Sequence, residues 1–173
     1  MSEHHTTSPP STWSGGTGFD DFYLTHFKPL TVFLLMHGAT LTEANDVAQD
    51  TMIEAHRSWH RIGSPKAWAH STASRTLARR RFAAVEDLVA DPPESAPPLC
   101  GTDIEQWEQR HDVLDLLAGL PERQRQVMAW TQAGFSPKEI AEQLGISSEA
   151  VRASLMKARQ TLSRRLRRDG GDR

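Results

Sequence analysis

An all-α protein of two small helical modules is what the sequence predicts, and three observations carry that reading. Apolar residues recur at three- and four-residue spacing through most of the 173 residues, and no stretch shows the strict alternation of a strand. Gly, Pro and Ser interrupt the pattern where helix caps and stops are needed. Charge is laid down in blocks: residues 1–83 hold 8 Lys and Arg against 7 Asp and Glu, residues 84–119 hold 1 against 9, and residues 120–173 hold 11 against 6. The overall net charge of −2 therefore conceals a near-neutral module and a basic module joined by an acidic connector. We place a disordered lead at 1–18, an N-terminal module at 19–83, a flexible acidic Pro-rich linker at 84–103, a C-terminal module at 104–168 and a disordered tail at 169–173.

Each element follows from local chemistry. Phe19, Phe22, Tyr23, Phe27, Leu30, Phe33 and Leu34 define a core-facing helix that Pro29 is expected to kink or split and Gly38 to close. Thr40 and Glu43 offer a capping box for a second helix, whose inner face is Ala44, Val47, Ala48, Thr51, Ala55 and Trp59. Ser64 and Pro65 open a third helix, poor in large apolar residues, that ends among Arg75, Arg79, Arg80 and Arg81. The stretch "DPPESAPPLCGTD" cannot hold a helix. A short helix follows from about Ile104 to Leu117. Next comes a Pro-initiated helix with Val127, Met128 and Trp130, ended by Gly134. Ser136 caps and Pro137 starts the next helix, Gly145 terminates it, and Ser147 or Ser148 caps the last. That last helix has Val151, Leu155, Ala158, Leu162 and Leu166 on one stripe.

Composition excludes several function classes. No apolar run nears the roughly 20 residues that a bilayer span needs, so membrane insertion is not expected. The opening "MSEHHTTSPPSTWSGGTG" lacks the basic and apolar regions of a signal peptide. A lone Cys100 rules out an internal disulfide and fits a reducing cytoplasm. His56 and His60 share a helix face at metal-ligand spacing, but no further ligand lies nearby in sequence, so neither metal nor cofactor is expected. With no P-loop, dinucleotide fingerprint or nucleophile elbow, no catalytic residue is assigned and an enzyme is not expected.

"SPKEIAEQLGISSEAVRASLMKARQTL" has the layout of a helix-turn-helix. Ala141 is small where two helices approach, Gly145 permits the turn, and Ile140, Leu144 and Ile146 fill the small core. The second helix then turns Ser148, Glu149, Arg152, Ala153 and Met156 outward, beside Lys157 and Arg159. A major groove admits one helix, whose first residues reach base edges while nearby cations meet phosphates.

The segment "GLPERQRQVMAWTQAGFSPKEIAEQLGISSEAVRASLMKARQTL" resembles the promoter-binding C-terminal module of bacterial sigma factors. "DVAQDTMIEAHRSW" resembles the helix of their N-terminal module that grips the polymerase clamp, and "SPKAWAHSTASRTLARR" its promoter-melting helix. Two modules with a short connector resemble the extracytoplasmic-function (ECF) type. The resemblance implies that Asp46, Gln49, Asp50 and Ile53 bind core RNA polymerase at its clamp helices. It implies that His60, Arg61, Ser64, Lys66, Trp68, Arg75, Arg79 and Arg80 serve the downstream promoter element and its melting. Ser147, Ser148, Glu149, Arg152, Ala153, Met156, Lys157 and Arg159 would read the upstream element.

Two departures bear on promoter choice. Glu149-Ala150-Val151-Arg152-Ala153-Ser154-Leu155 stands where the family usually reads Gly-Thr-Val-Lys-Ser-Arg-Leu. Ala69-His70-Ser71-Thr72-Ala73-Ser74-Arg75 replaces a more apolar melting helix. The expected partners are core RNA polymerase (clamp helices and flap) and promoter DNA, with an anti-sigma factor left open, in a cytoplasmic and nucleoid-associated setting. The acidic linker would mimic nucleic acid in the polymerase channels. The alternative is a stand-alone helix-turn-helix regulator.

Overall fold

The computed structural model describes residues 18–86 and 113–170, and every regular element among them is helical. The expectations for the lead at 1–17, for Cys100 and the Pro-rich linker, for the start of the helix at 104–112 and for residues 171–173 lie outside the described residues.

In the N-terminal module α1 (Phe19–Met36), α2 (Leu41–Ser58) and α3 (Pro65–Glu86) pack on one another, with a single 3₁₀ turn (Trp59–Arg61) after α2. Pro29 does not split α1, which runs as one continuous helix through it. A helix-interior proline costs about 3 kcal/mol, but Phe22 on one side of it and Leu30, Phe33 and Leu34 on the other are all buried on the same core. Burying each such side chain gains about 1.5–3 kcal/mol. Packing wins. Gly38, with φ of 83°, ends the helix as expected. The Thr40–Glu43 capping box is complete, with the Glu43 amide donating to Thr40 Oγ1 and the Thr40 amide to Glu43 Oε2. All five inner-face residues of α2 before Trp59 are buried, while Trp59 is half-buried against Phe19 and Phe22.

The C-terminal module comprises α4 (113–118), α5 (Glu122–Gln132), α6 (Pro137–Leu144) and α7 (Ser148–Gly170). Pro121 is the N-cap of α5 rather than its first helical residue. Ser136 and Glu139 form a second capping box, and Gly145 adopts the left-handed conformation at φ 64° that turns the chain between α6 and α7. The Ala150 amide donates to Ser147 Oγ at 3.1 Å, so Ser147 rather than Ser148 is the cap. Val151 and Ala158 are buried and Leu155 and Leu162 half-buried, but Leu166 is 56% exposed and leaves the expected stripe. The helix reaches Gly170, two residues into the stretch read as tail, beyond the body it packs on.

The modules do not stand apart. Their buried side chains join in one cluster across α1, α3 and α5. Phe33 of α1 meets the Trp130 ring of α5 edge-on at 5.0 Å between centroids, and Trp130 in turn meets Phe135 at 4.9 Å. His70 of α3 sits between Phe33 and Phe135 at 4.8 and 5.2 Å. The Ser71 hydroxyl donates to the Gln143 side-chain carbonyl, linking α3 to α6.

Candidate polymerase and promoter surfaces

On α2, Asp46, Gln49, Asp50 and Ile53 all lie on the exposed face, opposite the buried Val47, Ala48, Thr51 and Met52. The face is partly organised. Tyr23 of α1 donates its hydroxyl to Gln49 Oε1 at 3.4 Å, and Arg80 of α3 holds the Asp50 carboxylate at 2.6 Å. Ile53, 45% exposed, is the apolar element of the patch. One face thus offers carboxylates, an amide and an exposed aliphatic group, a chemistry suited to a basic helical partner.

His60, Arg61, Ser64 and Lys66 are exposed around the start of α3, and Arg75, Arg79 and Arg80 follow along it, with Arg80 half-exposed through its ion pair. Trp68 is half-buried against the core, so its ring is in part structural rather than a free stacking platform. Arg75 Nε donates to the Ser71 carbonyl and Arg79 Nη2 to Thr76 Oγ1, laying both side chains along the helix. Lys66 Nζ sits 5.1 Å above the Phe135 ring, a cation–π contact with the C-terminal module. His56 packs its ring edge-on against Phe19 at 4.8 Å. Among the described residues no three His, Cys, Asp or Glu gather as metal ligands, and no helix is long and apolar enough to cross a membrane.

The helix-turn-helix is formed by α6, the Gly145 turn and α7. Ile140 and Ala141 are buried and Leu144 and Ile146 pack against the same core. On α7, Glu149, Arg152, Ala153, Met156, Lys157 and Arg159 are exposed and Ser148 half-buried. Glu149 lies at the amino end of α7, where its own backbone amide and Ser147 hold its carboxyl below the ordinary value, with Arg152 adding to this. Arg152 Nη1 is 3.5 Å from that carboxylate, so two candidate DNA-reading groups restrain each other.

Sequence reasoning missed two features of α7. An open groove of about 660 Å³ runs along its outer face, where Arg164 and Arg167 continue the line of Arg152, Met156 and Arg159. Arg152, Met156 and Arg159, and then Gln160, Arg164 and Arg167, recur at three- and four-residue spacing, which was the available signal. Arg165 points the other way: it donates to the carbonyls of Leu116 at 3.1 Å and Gly119 at 2.7 Å, stapling α7 to the end of α4. Its sequence signal was helical phase, since Arg165 falls three residues after Leu162 and seven after Ala158, on the inward side of α7.

Known proteins match both halves. The Sigma-70 region 2 family model matches residues 25–86, and the Sigma-70, region 4 model matches residues 110–162. Together those regions define a sigma-70-type protein, a class of regulatory rather than catalytic proteins. The ECF RNA polymerase sigma factor SigF of Caulobacter vibrioides is 30% identical over 141 residues, covering 75% of this chain and 74% of its own length. SigM of Mycobacterium tuberculosis, also an ECF RNA polymerase sigma factor, is 29% identical over 153 residues, 86% of this chain and 76% of that protein. The fold is similar to that of the sigma factor RpoE of Bartonella quintana, solved in complex with the anti-sigma factor NepR. That match has a TM-score of 0.63 and 22% identity, and covers 86% of this chain and 96% of the other. It is also similar to CnrH in complex with the cytosolic domain of CnrY, with TM-score 0.61, 24% identity, and 87% and 88% coverage. The chain belongs to the ECF family of RNA polymerase sigma factors.

Proposed function

We propose that this chain binds core RNA polymerase and directs it to a class of promoters. The observation that carries the reading is the pairing, in one chain of this family, of an exposed acidic-aliphatic face on α2 with an exposed basic face on the second helix of a helix-turn-helix. The first suits a basic surface of the polymerase clamp. The second suits a major groove, where Arg152 and Met156 meet base edges and Lys157 and Arg159 meet phosphates. Exposed cations along α3 serve the downstream element. The matched RpoE structure, which contains an anti-sigma factor, supports a regulator of that kind as a further partner here.

The test is run-off transcription over a genomic fragment library with core polymerase and purified protein. Promoter-specific transcripts that need both components, and that disappear with Asp46→Arg, are the expected result. Specific duplex binding without polymerase, and no transcripts with it, would instead make the chain a stand-alone regulator.

Arg152→Ala should relax base preference at one promoter position and cost about 1–3 kcal/mol there. Lys157→Ala should weaken all sequences alike and flatten the salt slope. Binding to a randomised upstream element at two salt concentrations separates these roles.

A further inference from the structure

The interface between the modules contains a group that neither module needs for polymerase or DNA. His37, at the end of α1, is 6% exposed, and His70, in the middle of α3, is 1% exposed. Each donates its Nδ1 hydrogen to the carbonyl four residues earlier, His37 to Phe33 at 2.9 Å and His70 to Lys66 at 2.8 Å. A carbonyl only accepts, so Nδ1 carries the hydrogen in each ring, and in the neutral form Nε2 is the bare nitrogen. His37 Nε2 is buried and has no hydrogen-bond partner among the described residues. The His70 ring is walled by both modules, Phe33 of α1 with Trp130 and Phe135 of the C-terminal module. His37 instead packs on Phe33 of its own helix and is acted on from the other module by Arg125 of α5.

We propose that these two histidines make closure of the modules acid-sensitive, the C-terminal module leaving α3 when His37 and His70 take up protons. A second proton on His37 would place an N–H⁺ where no described residue accepts it, and one on His70 would put a charge among the Phe33, Trp130 and Phe135 rings. The permanent charges that act on the pair are cations, Arg81 of α3 and Arg125 of α5 on His37 and Lys66 of α3 on His70, and the His70 and His26 rings add repulsion only when protonated. The Glu139 carboxylate of α6 acts on Lys66 and is taken up by Ser136. Nothing in this set accepts the new hydrogen. Separation would return Trp130, Phe135 and the His70 ring to water, where both protonated forms are hydrated.

Burial, opposed by the carbonyl hydrogen bonds and reinforced by these cations, pushes both histidines down from the ordinary 6.5 to about 4. Closure is therefore favoured in full above pH 6.5 and loses that support as pH falls from 6.5 towards 4. At pH 5, each histidine that opening returns to water shifts the open-to-closed ratio about 30-fold, and two shift it on the order of 10³-fold.

The consequence rests on the proposed function. In the closed form Lys66 lies over Phe135, and Ser71 is bonded to Gln143, so part of the α3 face assigned to the downstream element is held by the chain's own C-terminal module. Opening would free it.

Small-angle scattering on the full chain between pH 7.5 and 4.5 at constant ionic strength, with far-UV circular dichroism on the same samples, tests the switch. The wild type should be compact at pH 7.5 and expand below pH 6.5 with its helicity retained, while His37→Leu/His70→Leu stays compact. A wild type of constant radius, expansion only together with loss of helicity, or parallel expansion of the variant would each overturn the proposal. Should the variant fail to fold, ring-proton NMR of the wild type decides: the two histidines titrating near 6.5 in the compact state would overturn it, and well below 6.5 would support it. Core-polymerase binding at pH 7.5 is a separate arm, whose failure counts against the sigma reading and leaves the scattering result standing.

Discussion

Arg80 on α3 and Asp50 on α2 form an ion pair at 2.6 Å, which ties a residue assigned to promoter DNA to one assigned to the polymerase. Their side chains are 40% and 59% exposed, so water screens the pair and its net worth is about 0.2–1 kcal/mol. A double-mutant cycle of Asp50→Ala and Arg80→Ala, read by urea unfolding, should give a coupling in that range that shrinks at high salt. Asp50→Arg should weaken core binding far more than this, because it sets like charges against a basic partner. Asp46→Arg is the control, since Asp46 has no ion pair among the described residues. Equal core affinity for both variants and the wild type would remove this face from the polymerase interface.

The Arg165 staple should be visible as stability. Arg165→Ala removes two charge-assisted hydrogen bonds to α4 carbonyls, and a loss of about 1–3 kcal/mol in chemical unfolding is expected. Gly119→Ala acts on the same contact, because a Cβ there would lie 1.9 Å from Arg165 Nη1 and displace the guanidinium. Arg164→Ala, on the open groove, should be near neutral. If all three cost the same, the staple contributes nothing specific.

Trp130 joins the modules, is 1% exposed, and has its Nε1 hydrogen buried without a partner among the described residues. Trp130→Ala should cost about 3–5 kcal/mol through the cavity it leaves. Trp130→Phe should cost distinctly less, since it keeps a ring against Phe33 and Phe135 and removes the orphan donor. Urea midpoints of the two variants check this order.

Pro29 sits exposed within a continuous helix, and the Thr25 carbonyl lacks its usual helical donor there. Pro29→Ala supplies that donor. The chain should gain about 1–2 kcal/mol, the restored hydrogen bond and relieved strain outweighing the freer unfolded chain. A thermal midpoint that falls instead would show that the proline's rigidity matters more than the bond.

Local chemistry explains what could be read in advance. The boxes of Thr40 with Glu43 and Ser136 with Glu139, and the glycines at 38 and 145, act within four residues of themselves, so sequence spacing defines them. The exposed faces of α2 and α7 were legible for the same reason: helical periodicity sets which residues oppose a buried stripe. The reading failed where a distant element decides. Pro29 was read from its own missing donor, whereas burial on both sides of it keeps α1 whole. Leu166 was placed on a stripe that periodicity continues but that no partner covers so far along α7.

By itself, then, the sequence determined the helices, their caps, the helix-turn-helix and the family, because each rests on short-range spacing or on matched segments. Tertiary structure alone decided which carbonyls Arg165 staples and that Asp50 is paired with Arg80. It also decided that Phe33, His37, His70 and Trp130 close the two modules on each other. Those outcomes join residues 30 to 97 positions apart, and such contacts are chosen by shape, burial and charge in three dimensions, which one-dimensional periodicity does not encode.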